Sequence, residues 1–150
     1  VPRFELVTLI HASRERCFDL SRDIDLHVRS MSDSNERAVA GRTSGLIGLG
    51  EEVTWQARHF GVQHRHRSRI TEYDRPRHFR DIQVAGRFRS FVHDHFFEEK
   101  AGVTHMRDVL SFESPLGILG KIADRLVLDR YLRELIAERN RVIKAEAERA

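Results

Sequence analysis

The segment Pro115-Leu-Gly-Ile-Leu-Gly-Lys-Ile-Ala-Asp-Arg-Leu-Val-Leu-Asp-Arg-Tyr-Leu-Arg-Glu-Leu-Ile-Ala-Glu-Arg-Asn-Arg-Val-Ile-Lys-Ala-Glu-Ala-Glu148 is the only stretch that reads as one long helix. Beyond Gly120 it holds neither proline nor glycine, and apolar residues recur at helical spacing between Arg, Glu and Lys. A helix of this length cannot bury its apolar stripe alone. The chain from Glu36 to Glu113 reads as strands, so the expected class is α+β: a curved antiparallel sheet of about seven strands wrapped round a long C-terminal helix.

The helix carries two stripes. At 100° per residue, Leu119, Ile122, Ala123, Leu126 and Val127 share one side. Leu128, Tyr131, Leu132, Leu135, Ile136, Val142 and Ile143 form a second stripe about half a turn away. Two arrangements satisfy both: a break near Val127–Leu128, or a second contact such as a homodimer interface.

Upstream, Arg3–Ile10 reads as a strand. Ser13 and Asp23 are N-cap residues for two short helices, to Leu20 and from Ile24 to about Met31. Ser32 to Asn35 is a turn cluster, and Glu36–Thr43 the next strand. The glycine-rich run from Gly41 to Gly50 lacks the Lys-Ser/Thr of a phosphate-binding loop and the spacing of a dinucleotide fingerprint. It reads as a loop whose Leu46, Ile47 and Leu49 could cover a pocket mouth. Then follows a meander: Glu51–Phe60, Gln63–Tyr73, His78–Ala85, Phe88–Glu99 and Val103–Glu113, with short turns between.

One domain spanning residues 1–150 is expected from the length. No apolar run approaches the ~18 residues of a membrane helix, and no leader pattern stands at the N-terminus. A single cysteine, Cys17, excludes an internal disulfide and a cysteine-based zinc cage. A reducing cytoplasm fits and is the expected location. Net charge is +3, and much of the basic excess is arginine in strands, including Arg65, Arg67 and Arg69. A polyanion surface is one reading. The interspersed acids and the absence of a nucleic-acid motif favour a solvated face, so no nucleic-acid partner is expected.

Strand alternation sorts the faces. If Gly61-Val62 closes one hairpin, Ala57 lies opposite His66 and Trp55 opposite Ser68. If Tyr73 pairs with His78, Ile70 lies beside Asp81 and Ser68 beside Gln83. If Lys100-Ala101 closes the last hairpin, His93 pairs with Asp108 and Phe91 with Leu110. A bulge at Gly86 would then set Asp81 beside His93. One face thus mixes Val53, Trp55, Ala57, Ile70, Phe91 and Leu110 with His66, Ser68, Asp81, Gln83, His93, His95 and Asp108. Unpaired polar groups are costly in a plain core. A pocket under the helix is the better reading, with these residues binding a ligand.

Several strings resemble one known superfamily. They are Gly50-Glu-Glu-Val-Thr-Trp-Gln-Ala-Arg-His-Phe-Gly61, Phe88-Arg-Ser-Phe-Val-His-Asp-His-Phe-Phe97, Asp108, and Pro115-Leu-Gly-Ile-Leu-Gly120. Together with the meander and closing helix, they are similar to the START/birch-allergen-like helix-grip superfamily, in its polyketide cyclase/dehydrase and lipid-transport (SRPBCC) group. The resemblance covers essentially the whole chain. It implies the helix-grip fold, but spans transport proteins, ligand sensors and cyclases.

Three functions follow as expectations. The first is binding of a small lipophilic molecule between sheet and helix, with Trp55, Phe91 and Leu110 as walls and His93, Asp108, Asp81 and Gln83 orienting its polar end. The second is a cofactor-independent cyclase or dehydratase with His93 as base and Asp108 as its orienter. The third is polyanion binding through the arginine face. His64-x-His66 and His93-x-His95 could ligate a metal with Asp81 or Asp108. The pairs lie two strands apart and the resemblance brings no metal, so neither metal nor cofactor is expected.

Overall fold

The computed structural model describes residues 2–31, 35–59, 61–114 and 127–149. The strands are β1 (Arg3–Ile10), β2 (Arg37–Gly41), β3 (Glu52–His59), β4 (Val62–Asp74), β5 (His78–Ala85), β6 (Ser90–Lys100) and β7 (Val103–Glu113). They form one antiparallel sheet in the order β1-β7-β6-β5-β4-β3-β2. The helices are α1 (Arg14–Ser21), α2 (Ile24–Ser30) and α3 (Asp129–Ala147). α1 begins where Ser13 Oγ accepts the Arg16 N–H at 3.2 Å, and α2 where Asp23 Oδ1 accepts the Leu26 N–H at 3.2 Å. These are the caps the sequence marks.

Two hairpins close one step away from the expected register. The last turn is Ala101-Gly102, with φ of 52° and 80°, and Lys100 pairs with Val103. A two-residue turn with both central φ values positive matches strand twist, and glycine supplies one of them freely. In consequence His93 lies opposite Leu110, His95 opposite Asp108 and Phe91 opposite Phe112. Between β3 and β4, His59 pairs with Val62, so Trp55 faces His66 and Ala57 faces His64. Each slip is two residues, so every side chain keeps its expected face. Between β4 and β5, Tyr73 pairs with Phe79 rather than His78, and a bulge between Ile70 and Glu72 restores the register, so the Ile70–Asp81, Ser68–Gln83 and Asp81–His93 pairings occur as expected.

α1, α2 and α3 cover the concave face. Phe18 of α1 is fully buried and meets the rings of Tyr73, Phe79 and Phe97 edge-on, 5.2–5.4 Å between centroids. Truncating such a side chain typically costs about 3–5 kcal/mol. A second cluster joins Phe4, Leu110 and Phe112 to Leu132 and Ile136 of α3. Cys17 is wholly buried, and burial pushes its thiol pKa up, so it is a packing residue.

In α3 the stripe at Leu132, Ile136 and Ile143 faces inward as read, and Leu128, Tyr131, Leu135 and Val142 are half-buried. A wide turn at Val127–Leu128 leads into the helix. The first stripe, Leu119 to Leu126, lies outside the described residues. Val127, its last member, is exposed.

The convex face carries the arginines, and they are engaged locally. Arg69 forks onto Glu52, Arg67 lies 3.5 Å from the same carboxylate, and Arg65 donates to Gln56 at 3.1 Å. Among the described residues no helix is long and apolar enough to cross a membrane.

Candidate functional site

Residues of β3 to β6, α2 and α3 line a cavity of about 460 Å³. That volume is within the range of small-molecule sites. Val53, Trp55, Ile70, Phe79, Phe91, Leu132 and Ile136 give it apolar walls, and Ile47 of the glycine-rich run reaches it too. Leu46 and Leu49 of that run are exposed instead.

Of the residues singled out from sequence, Trp55, Ala57, His66, Ser68, Asp81, Phe91, His93 and His95 line this cavity. Gln83, Asp108 and Leu110 do not. α3 packs beside β1, and its side chains Leu132, Ile136 and Asn140 reach over the inward positions of β7, which are covered rather than open. Leu110 is buried against Phe4 and Ile136, and Asp108 is fully buried beneath His93 and α3. Gln83 turns to the β5–β6 connection, where its amide donates to the Phe88 carbonyl at 2.7 Å and accepts the Phe88 N–H at 3.2 Å.

Asp108 is the hub of a buried polar network. His93 Nε2 lies 2.7 Å from Oδ1, Asn140 Nδ2 donates to Oδ2 at 2.8 Å, and Arg139 Nη1 approaches Oδ1 at 3.4 Å. Burial alone would raise this carboxyl. The His93 hydrogen bond and the charges around it outweigh burial and hold it well below the usual carboxylate range. Arg139 also donates to Asn140 Oδ1 at 3.0 Å and to the Ser21 carbonyl at 3.1 Å. With an ionised carboxylate at 2.7 Å, Nε2 of His93 is the protonated nitrogen. In the neutral ring that leaves Nδ1 as a lone pair. No described residue meets Nδ1, and His93 lines the cavity.

A second dyad lies alongside. His95 Nε2 is 2.7 Å from Asp81 Oδ2, and its ring is stacked between Phe79, at 4.1 Å, and His93, at 3.8 Å. Burial and the neighbouring His93 push His95 down to about 4, against the pull of Asp81. Burial would push Asp81 up, yet its hydrogen bond to His95 and the surrounding histidines hold it at about 2. At neutral pH the pair is therefore a neutral imidazole donating to a carboxylate.

Further along the wall, His27 Nε2 lies 2.7 Å from Glu36 Oε1, and its ring packs on Trp55 at 4.3 Å. His59 Nδ1 lies 2.6 Å from the Tyr131 hydroxyl. Glu36 is lowered: burial opposes this, but His27, His59 and His66 prevail. His66 is lowered chiefly by burial, although Asp81 and Glu36 both pull the other way.

Asp81, His93 and His95 offer ligand atoms within 4.8 Å of one another. The two rings, however, are stacked at 21°, so their in-plane lone pairs run side by side rather than converging on one point. Arg139 stands 3.5 Å from His95 Nδ1 as well. The arrangement does not fit a metal ion without turning a ring.

Sequence reasoning missed Arg139 and Asn140, which tie α3 to Asp108. Their signal was present. They stand three and four residues beyond Ile136 on the inward stripe, where an apolar residue is expected.

No protein-family model and no curated protein matches this sequence significantly. Solved structures do match. The Zhui aromatase/cyclase of Streptomyces sp. R1128 superposes with a TM-score of 0.78 at 14% identity, covering 99% of this chain and 94% of that one. A protein of Thermus thermophilus gives 0.76 at 19% identity, covering 98% and 100%. Major latex-like protein 151 of Panax ginseng gives 0.74 at 16% identity, covering 99% and 98%. At such identities the likeness establishes the fold. The chain has the helix-grip α+β fold, and the resemblance seen in its sequence strings holds at that level.

Proposed function

We propose that the protein binds a small, largely apolar molecule in the cavity between β3–β6 and α3. What carries the reading is the cavity wall: aromatic and aliphatic surfaces interrupted by His93 Nδ1, an acceptor without a partner among the described residues. Burial against the walls supplies affinity, and the polar atoms supply orientation. Native mass spectrometry of the protein purified without detergent tests this. A co-purifying small molecule, released on denaturation, is the expected result.

A cyclase or dehydratase is the second reading, and one observation favours it. The Asp108–His93 hydrogen bond orients an imidazole with a free lone pair at the cavity wall, the arrangement of a general base. A structural neighbour is itself named an aromatase/cyclase. Polyanion binding finds less support, because Arg65, Arg67 and Arg69 are already engaged by Gln56 and Glu52.

A further inference from the structure

Three of the polar atoms left open on the cavity wall are acceptors. Asp81 uses Oδ2 to accept from His95, and no described residue meets Oδ1, while 20% of its side-chain surface stays exposed. Glu36 uses Oε1 towards His27, and no described residue meets Oε2. His93 directs Nε2 at Asp108, and no described residue meets its Nδ1, which in the neutral ring is a lone pair. All three atoms accept hydrogen bonds, and two belong to carboxylates. His66, with no hydrogen-bond partner among the described residues, offers one donor and one acceptor.

The cations on the same wall do not balance them. Arg139 is committed to Asp108, Asn140 and the Ser21 carbonyl. Arg22 is held by Asp19 and the Ile47 carbonyl. Arg65 and Arg87 also touch the cavity, but both are exposed. A ligand carboxylate beside Asp81, Glu36 and His93 would therefore meet acceptors and negative charge, and of the arginines lining the cavity only the exposed Arg87 has no partner among the described residues. Leaving such groups unpaired on binding is penalised more heavily than a lost apolar contact.

Resting on the binding role proposed above, we infer that the cavity selects molecules whose polar end is a hydrogen-bond donor, a hydroxyl, phenol or amine on an apolar body, and discriminates against carboxylates.

Three probes with one ring system test it by calorimetric titration at pH 7.5: 2-naphthol, 2-methoxynaphthalene and 2-naphthoate. The expected order is naphthol tightest, the methyl ether weaker by about tenfold, and naphthoate weakest of all. In Asp81→Asn, which keeps the shape and removes the charge, the gap between naphthol and naphthoate should narrow by about tenfold. Equal binding of naphthol and its methyl ether, or naphthoate binding as tightly as naphthol, overturns the selectivity while leaving the binding role standing. Binding of none of the three overturns the binding role and the selectivity with it. If Asp81→Asn does not fold, the ranking in the unmodified protein decides alone.

Discussion

His93 Nε2 and Asp108 Oδ1 are 2.7 Å apart although the two residues are not opposite one another: His93 pairs with Leu110, and Asp108 with His95. The contact is diagonal across β6 and β7, the longer of the two neighbour distances on a sheet face, and long polar side chains span it. It places a buried carboxylate behind an imidazole on the cavity wall, and α3 locks the carboxylate from the other side through Asn140 and Arg139.

Asp108→Asn should therefore be strongly destabilising. It strips Arg139 of its one carboxylate partner among the described residues, in a fully buried place. Breaking a buried charge pair by removing one member costs about 3–5 kcal/mol. Urea unfolding measures this directly. A loss below about 1 kcal/mol would mean that the network is not the clamp described here.

Gln83→Ala should cost about 1–2 kcal/mol by releasing the two hydrogen bonds to Phe88 that hold the β5–β6 connection. Ligand affinity should stay within about twofold, because Gln83 is not on the cavity wall. A large affinity loss with unchanged stability would place the residue at the ligand after all.

His93→Ala separates the two functional readings. A binding protein should lose affinity by about tenfold, the value of one hydrogen bond. A general base should lose about 10²-fold or more in turnover while the substrate still binds. Rates and dissociation constants measured on one preparation distinguish them.

Acid should destabilise the protein in two windows. His95 has its folded pKa depressed to about 4 from 6.5, so the unfolded chain binds its proton first. That contribution is fully present above pH 6.5 and is lost as pH falls towards about 4. The slope approaches about 1.4 kcal/mol per pH unit for one proton. His59 and His66, also lowered by burial, act in the same direction. Asp81, depressed from 3.8 to about 2, adds a second loss below pH 3.8. Urea midpoints from pH 7.5 to 4.5 should decline, and less steeply in His95→Gln. A flat profile in that range, or one unchanged by the substitution, contradicts the assignment.

The strands, the caps at Ser13 and Asp23 and the inward face of nearly every strand were readable from the sequence, because alternation and capping are local. The register was not, since the choice of turn residues depends on φ at Ala101 and Gly102. A two-residue slip left the faces intact and so left no trace in the pattern. Face assignment also cannot tell a cavity from a packed interface. Leu110, Asp108 and His93 share a face, yet only His93 borders open space, because Ile136 and Asn140 of α3 cover the other two. Arg139 and Asn140 were overlooked because α3 is rich in charged residues, and two more on its inner stripe resemble its solvated side.

The most direct test fills the cavity. Ala57 is buried on its wall, so Ala57→Trp should occupy the space a ligand needs. Titration of 2-naphthol into both proteins, with unfolding curves recorded alongside, gives the answer. The account predicts saturable one-to-one binding by the unmodified protein, binding lost in Ala57→Trp, and a change in stability of less than about 1.5 kcal/mol, since the new ring enters empty space rather than packed core. Equal binding by both proteins, or collapse of the variant's fold, would contradict a ligand cavity at this place.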